Sequence, residues 1–160
     1  MQKALIITFF VLLHSTFFSQ EKPYYPEPSP GFKRVDLILP KIENYTDFKV
    51  EIRFGMETNI SECALNSSFS FNPNNLKEEY GISPSRFPYY VLSTNNITEI
   101  TLGFSQSNCD KGKKVKKKIL SSQNIFREYT GHYKVPFYIP EKWSLEYRIW
   151  KVDNEYISIK

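Results

Sequence analysis

Apolar and polar residues alternate with a period of two in several separate stretches of this chain, and that pattern limits what it can fold into. Phe48, Val50, Ile52 and Phe54 interleave with Lys49, Glu51 and Arg53, and Gly55 is the expected end of that strand. Val35, Leu37 and Leu39 alternate before Pro40, and Ile100, Leu102 and Phe104 share one face. Leu145, Tyr147 and Ile149 alternate with Glu146, Arg148 and Trp150. Tyr89-Tyr90-Val91-Leu92 reads as a compact aromatic strand. Phe69 and Phe71 form a short pair ahead of the turn Asn72-Pro73-Asn74-Asn75, and residues 135–139 are extended up to Pro140. Successive side chains of a strand point to opposite faces, so each stretch can bury one face against a core. Short strands at this spacing predict an all-β fold, an antiparallel sandwich or barrel with long exposed loops. Residues 76–80 are expected to make one helical turn. Residues 21–31 hold Pro23, Pro26, Pro28, Pro30 and Gly31, which suits an extended N-terminal arm.

Lys3, the apolar run 4–13 and the cleavage zone 15–20 have the layout of an export signal. The apolar run is too short for a spanning helix, which takes about 20 residues. Residues 1–20 are therefore expected to be removed, leaving 21–160 as a single secreted or periplasmic domain with no membrane attachment. Cys63 and Cys109 are the chain's two cysteines. An exported protein with one such pair is expected to hold one disulfide, worth about 4 kcal/mol for a loop of this length in the chain-entropy model. The residues entering Cys109, Leu102-Gly103-Phe104-Ser105-Gln106-Ser107-Asn108, are mostly small, polar and turn-prone. They read either as an ordinary hairpin loop with a stabilising crosslink or as a tethered segment displayed to a partner.

The formal charge is +4, and +3 without residues 1–20, a mildly basic balance that does not indicate nucleic acid. Lys111, Lys113, Lys114, Lys116, Lys117 and Lys118 cluster ahead of Ile119-Leu120. They read as a solvated hairpin arm leading into a strand, and lysines on an exposed strand edge also discourage edge-to-edge pairing. Enzyme chemistry has little to stand on. His14 falls in the export signal, so His132 is the one histidine of the mature chain, which excludes a His-rich metal site. There is no Gly-x-Ser-x-Gly elbow, phosphate loop or dinucleotide fingerprint, so no cofactor is expected. No spacing among the 17 acids singles out a carboxylate pair. His132, in Arg127-Glu128-Tyr129-Thr130-Gly131-His132-Tyr133, reads as a surface residue of a polar loop. Trp150 stands out on the polar face of its strand, either covered by a loop or part of an interface, where Trp is enriched.

Taken in order, these segments resemble the ecotins, secreted inhibitors of chymotrypsin-fold serine proteases. Tyr25-Pro26, Gly31 and Lys33-Arg34 are similar to the family's N-terminal segment. Phe48-Lys-Val-Glu, Gly55 and Glu62-Cys63 resemble its next strands and first cysteine, and Tyr89-Tyr90-Val91-Leu92 the strand before the inhibitory loop. Cys109-Asp-Lys-Gly112-Lys-Lys is similar to the turn after that loop. Tyr138-Ile-Pro140-Glu141 and Tyr147-Arg148-Ile149-Trp150-Lys151 resemble the C-terminal strands, so the likeness runs over residues 24–152.

The resemblance implies a homodimer formed through the C-terminal strand, residues 143–160 with Trp150, and no catalysis. One protomer would insert a substrate-like loop into a serine protease while the other grips a second surface. Counting back from Cys109 places the reactive bond at Gln106-Ser107, flanked by Leu102, Phe104, Ser105 and Asn108. The second surface maps to Tyr80 and Gly81 and to Arg127, Tyr129, Thr130 and His132. This chain departs from the pattern at those places. The segment from Leu92 to Cys109 is a few residues longer, Gln106 replaces the family's frequent Met, and Ile82-Ser-Pro-Ser-Arg-Phe-Pro88 replaces the usual residues after Gly81. A non-inhibitory secreted binding protein on the same scaffold is the alternative reading.

Overall fold

The alternation resolves into ten strands in a computed structural model that describes residues 25–82, 87–104, 109–110, 112–152 and 158–159. The expected export signal lies outside the described residues. The strands are β1 (Phe32–Leu37), β2 (Phe48–Ser61), β3 (Ala64–Ser70), β4 (Leu76–Tyr80), β5 (Pro88–Leu92), β6 (Glu99–Phe104), β7 (Lys114–Ser121), β8 (Ile125–Glu128), β9 (Val135–Pro140) and β10 (Trp143–Lys151). They form a four-stranded sheet, β1-β9-β5-β4, and a six-stranded sheet, β10-β2-β7-β3-β6 with β8 also paired to β2. Most ladders are antiparallel, as expected, while β5–β9 and β3–β7 run parallel. The fold is all-β, as the alternation predicts.

The inward faces of both sheets meet in one core. Val50, Ile52 and Phe54 of β2 are buried, with Leu92, Phe137 and Ile139 from the other sheet. Trp143 is the centre of an aromatic cluster, its ring 4.8 Å from Phe69, 5.8 Å from Phe54 and 6.1 Å from Phe71. Tyr90 stacks on Phe137 at 4.8 Å. Such ring pairs contribute about 0.5–1.5 kcal/mol beyond the area they bury. The N-terminal arm is docked on the outer face of the four-stranded sheet. Tyr25 packs edge-on against Tyr89 beneath the Arg34 guanidinium, and the Tyr138 hydroxyl donates to Pro26 O.

Four expectations are corrected. Gly55 does not end β2, which continues to Ser61. A Cβ there would sit 2.5 Å from Ser144 Oγ and 2.9 Å from Lys118 Cε, so the glycine makes room for the side chains of both flanking strands. Residues 76–80 are strand, not a helical turn, because all five pair in register with β5. The local turn lies just before them at Pro73–Asn75, where Asn72 Oδ1 accepts from Asn74 N at 3.0 Å. Arg127 and Glu128 lie not in a loop but in β8, paired with Val50 and Lys49. Finally, Lys114, Lys116, Lys117 and Lys118 are not an arm ahead of a strand but belong to β7 itself, laddered on one side to β2, while β3 joins the other side only beyond them, at Leu120 and Ser121. Much of their charge is matched locally. Lys116 pairs with Glu57, Lys118 with Glu146, and neighbouring Lys113 with Glu62 at 2.9 Å.

Candidate functional site

Gln106 and Ser107, with Ser105 and Asn108, lie outside the described residues, but both ends of that segment are defined. On its N-terminal side, β6 runs against β3 with Gly103 opposite Leu65 and Phe104 opposite Ala64. Gly103 is required there, since a Cβ would collide with the Leu65 carbonyl oxygen. On the other side Cys109 is disulfide-bonded to Cys63, with Cα atoms 5.6 Å apart. Residues 105–108 therefore span between two anchors on adjacent residues, Cys63 and Ala64. The turn after Cys109 is fixed as well. Asp110 Oδ1 accepts from Gly112 N at 2.8 Å, and Glu62 N donates to Lys113 O at 2.8 Å. The length between Leu92 and Cys109 is partly taken up by β6, where Leu102 is exposed beside the irregularity in the ladder to β3.

A carboxylate that the sequence did not single out joins two distant segments of the second candidate surface. Glu78 Oε1 accepts from the Tyr80 hydroxyl at 2.8 Å and Oε2 from the Tyr90 hydroxyl at 3.0 Å, while Arg127 Nη2 lies 3.8 Å from Oε2. Arg127 also lies over the Tyr90 ring at 4.7 Å. Burial, reinforced by Glu78, pushes the Tyr90 phenol up to about 12, so it stays a hydrogen-bond donor at any physiological pH. Gly81 N donates to Phe87 O at 3.1 Å, closing the loop beyond Tyr80. The remaining candidates separate. Tyr129 is buried in the core with its hydroxyl donating to Pro40 O. Thr130 is half-buried, and His132 is exposed with its ring edge-on to Tyr45 at 4.7 Å.

Trp150 lies 45% exposed on the outer face of β10, in contact with the Glu51 and Arg148 side chains. Its Nε1 donates to Glu51 Oε2 at 2.7 Å. Arg148 forms a bidentate pair with the same carboxylate, at 2.6 and 3.0 Å, and stacks over the indole at 4.5 Å. Glu51 is only 1% exposed although the alternation places it outward. Register explains this, because β10 sets Arg148 directly opposite Glu51 and Trp150 opposite Lys49. An aromatic and an arginine on the polar face of β10 were the available signal for a buried acid across from them.

The Arg148 hydrogen bonds hold the Glu51 carboxyl below its ordinary 4.5, against the opposing effect of burial. A lowered folded-state value means that this stabilisation is complete above the unfolded carboxyl range and is lost as pH falls through the folded value. Urea midpoints measured downward from pH 5 should therefore decline, and Glu51→Gln should flatten that decline while lowering the midpoint at neutral pH. A variant with the same acid limb as wild type would remove Glu51 from the explanation.

Among the described residues no group of three or more His, Cys, Asp or Glu is arranged to hold a metal, and no helix is long and apolar enough to cross a membrane. The family model described as Ecotin matches residues 21–152. A protein of Methylobacillus flagellatus named as ecotin-like is 25% identical over 140 residues, covering 87% of this chain and 81% of that protein.

Proposed function

The chain belongs to the ecotin family, whose members inhibit serine proteases and are secreted or periplasmic, and we propose on that premise that it inhibits by presenting residues 105–108 as a substrate-like loop. The observation that carries this reading is the double anchorage of the segment at Cys63 and Ala64. A segment held at both ends loses little conformational entropy on docking, and a cut product stays beside the cleft. In the proposed register Gln106 enters the primary pocket of a chymotrypsin-fold protease and Gln106-Ser107 is the scissile bond. Residues 1–20 direct export and 21–160 form the inhibitor domain. The protein itself is not an enzyme.

Gln pairs neither with an acidic pocket, as Arg does, nor with an apolar one without leaving its amide short of partners. Wild type should inhibit measurably but weakly per loop. Gln106→Arg should move potency towards trypsin-like enzymes and Gln106→Met should broaden it. Catalytic protease at mildly acidic pH should leave a slow nick after Gln106. A nick after Leu102 or Phe104 would relocate the reactive bond. Absence of inhibition by all three proteins across trypsin-, chymotrypsin- and elastase-like enzymes would leave the non-inhibitory binding reading.

Avidity supplies the rest of the affinity in this proposal. A homodimer through β10 and the residues after it lets one protomer's loop and its partner's Tyr80–Arg127 surface engage one protease, so the second contact is nearly intramolecular. β10 supports this reading because it is an edge strand carrying half-exposed Tyr147 and Trp150. Trp150→Ala should weaken the dimer by more than about 2 kcal/mol. In light scattering across a dilution series the variant should dissociate at higher concentration than wild type. A wild type already monomeric at micromolar concentration would refute the dimer.

A further inference from the structure

Lys116 and Lys118 of β7 face carboxylates, those of Glu57 and Glu146. Lys117 lies between them, so its side chain leaves the strand on the opposite face, the one that carries buried Ile119. There its ammonium turns to main chain. Nζ donates to Glu62 O at 2.8 Å and to Ala64 O at 2.9 Å. Both lengths are those of charge-assisted bonds, and the lysine is half-buried. The two carbonyls flank Cys63. One side chain of β7 therefore grips the chain on either side of the cysteine that bonds Cys109, and at the residue opposite Phe104. These are the anchors of residues 105–108. The ladders leave this corner to such contacts. β3 pairs with β7 at Ser68 and Phe69, and its register to β6 shifts between Leu65 and Ser68. Lys113 secures Glu62 through its carbonyl and an exposed ion pair, and the bond to Ala64 O comes from Lys117.

We propose that Lys117 is a positioning residue for inhibition, holding the two anchors of the inhibitory segment in place through the carbonyls on either side of Cys63. This rests on the loop reading above and adds to it. The disulfide ties Cys109 to Cys63 but does not fix Cys63 on the sheet, and the ammonium does. A fixed corner presents the segment in one geometry, so docking costs little entropy. A loosened corner makes the same segment an ordinary substrate, bound more weakly and cut faster.

The test compares Lys117→Met with Lys117→Arg, which keeps charged donors, and with Lys116→Met on the opposite face. Against a protease that wild type inhibits, Lys117→Met should raise the inhibition constant about ten-fold, as expected for losing charge-assisted bonds. It should speed cleavage within residues 105–108 by a similar factor, with the disulfide intact. Lys117→Arg should restore most of both, and Lys116→Met should match wild type. Hydrogen exchange without protease should rise in peptides covering 62–66 and 102–104 and stay unchanged in β1 and β9. Lys117→Gln, which keeps a neutral donor, takes the place of the Met variant where that one folds poorly. Unchanged potency and cleavage, or exchange raised evenly across both sheets, would overturn the positioning role. A wild type that inhibits no trypsin-, chymotrypsin- or elastase-like enzyme would instead end the loop reading and the role of Lys117 with it, and the exchange data, taken without protease, separate the two failures.

Discussion

Replacing Cys63 by serine is expected to lower the unfolding free energy by about 4 kcal/mol, because the bond closes a 46-residue separation in the unfolded chain. Cys109→Ser should match it, and the double variant should lose no more than either single one, since all three remove one crosslink. Urea unfolding under non-reducing conditions reads the effect as a lower midpoint. The same variants release one of the two anchors of residues 105–108. In the proposed inhibitor they should therefore lose potency beyond what the unfolded fraction explains, and be cleaved faster by the target protease. A loss below about 1 kcal/mol would show that the crosslink does little to restrict the unfolded chain.

Trp143→Ala is expected to cost about 3–5 kcal/mol, the range for deleting a large buried aromatic ring. Trp143 is 4% exposed and touches Phe54, Phe69 and Phe71, so the void would open among the aromatic side chains of β10, β2 and the end of β3. Trp143→Phe keeps much of the ring volume and should cost far less. The contrast with Trp150 is instructive. Two tryptophans lie seven residues apart on one strand and on opposite faces of it. Loss of the first should appear as a drop in thermal midpoint, and loss of the second as a change in association. Equal stability losses from both would contradict the assigned faces.

Strands whose apolar face meets the core were readable from alternation alone, as at Phe48–Phe54 and Leu145–Ile149. The misread places are those where a tertiary contact overrides the local pattern. Leu76-Lys-Glu-Glu-Tyr has good helix formers, yet the ladder to β5 holds it extended. Gly55 looks like a terminator and is instead a site of close approach. The lysines of β7 look like an arm ahead of a strand because nothing local shows that β2 ladders with them. The candidate loop was legible through its cysteine. Glu51 and Glu78 were not: Glu51 acquires Arg148 and Trp150 through the pairing of β2 with distant β10, and Glu78 acquires Tyr90 through the pairing with β5 of a segment expected to be helical.

The register of the four-stranded sheet has a consequence for how the chain can be assembled in time. The strand that begins at Phe32 lies against the strand that ends at Pro140, and the latter also sits between β1 and β5. β2 likewise takes β10 as its edge partner. The first third of the polypeptide thus waits for the last quarter. A nascent or truncated chain lacking residues beyond 134 has no template for β1, no neighbour for β5 beyond β4, and no indole for the aromatic cluster. Such sequence-distant pairing pays its loop-closure entropy before any contact rewards it. Both sheets can therefore be completed only by the nearly complete chain.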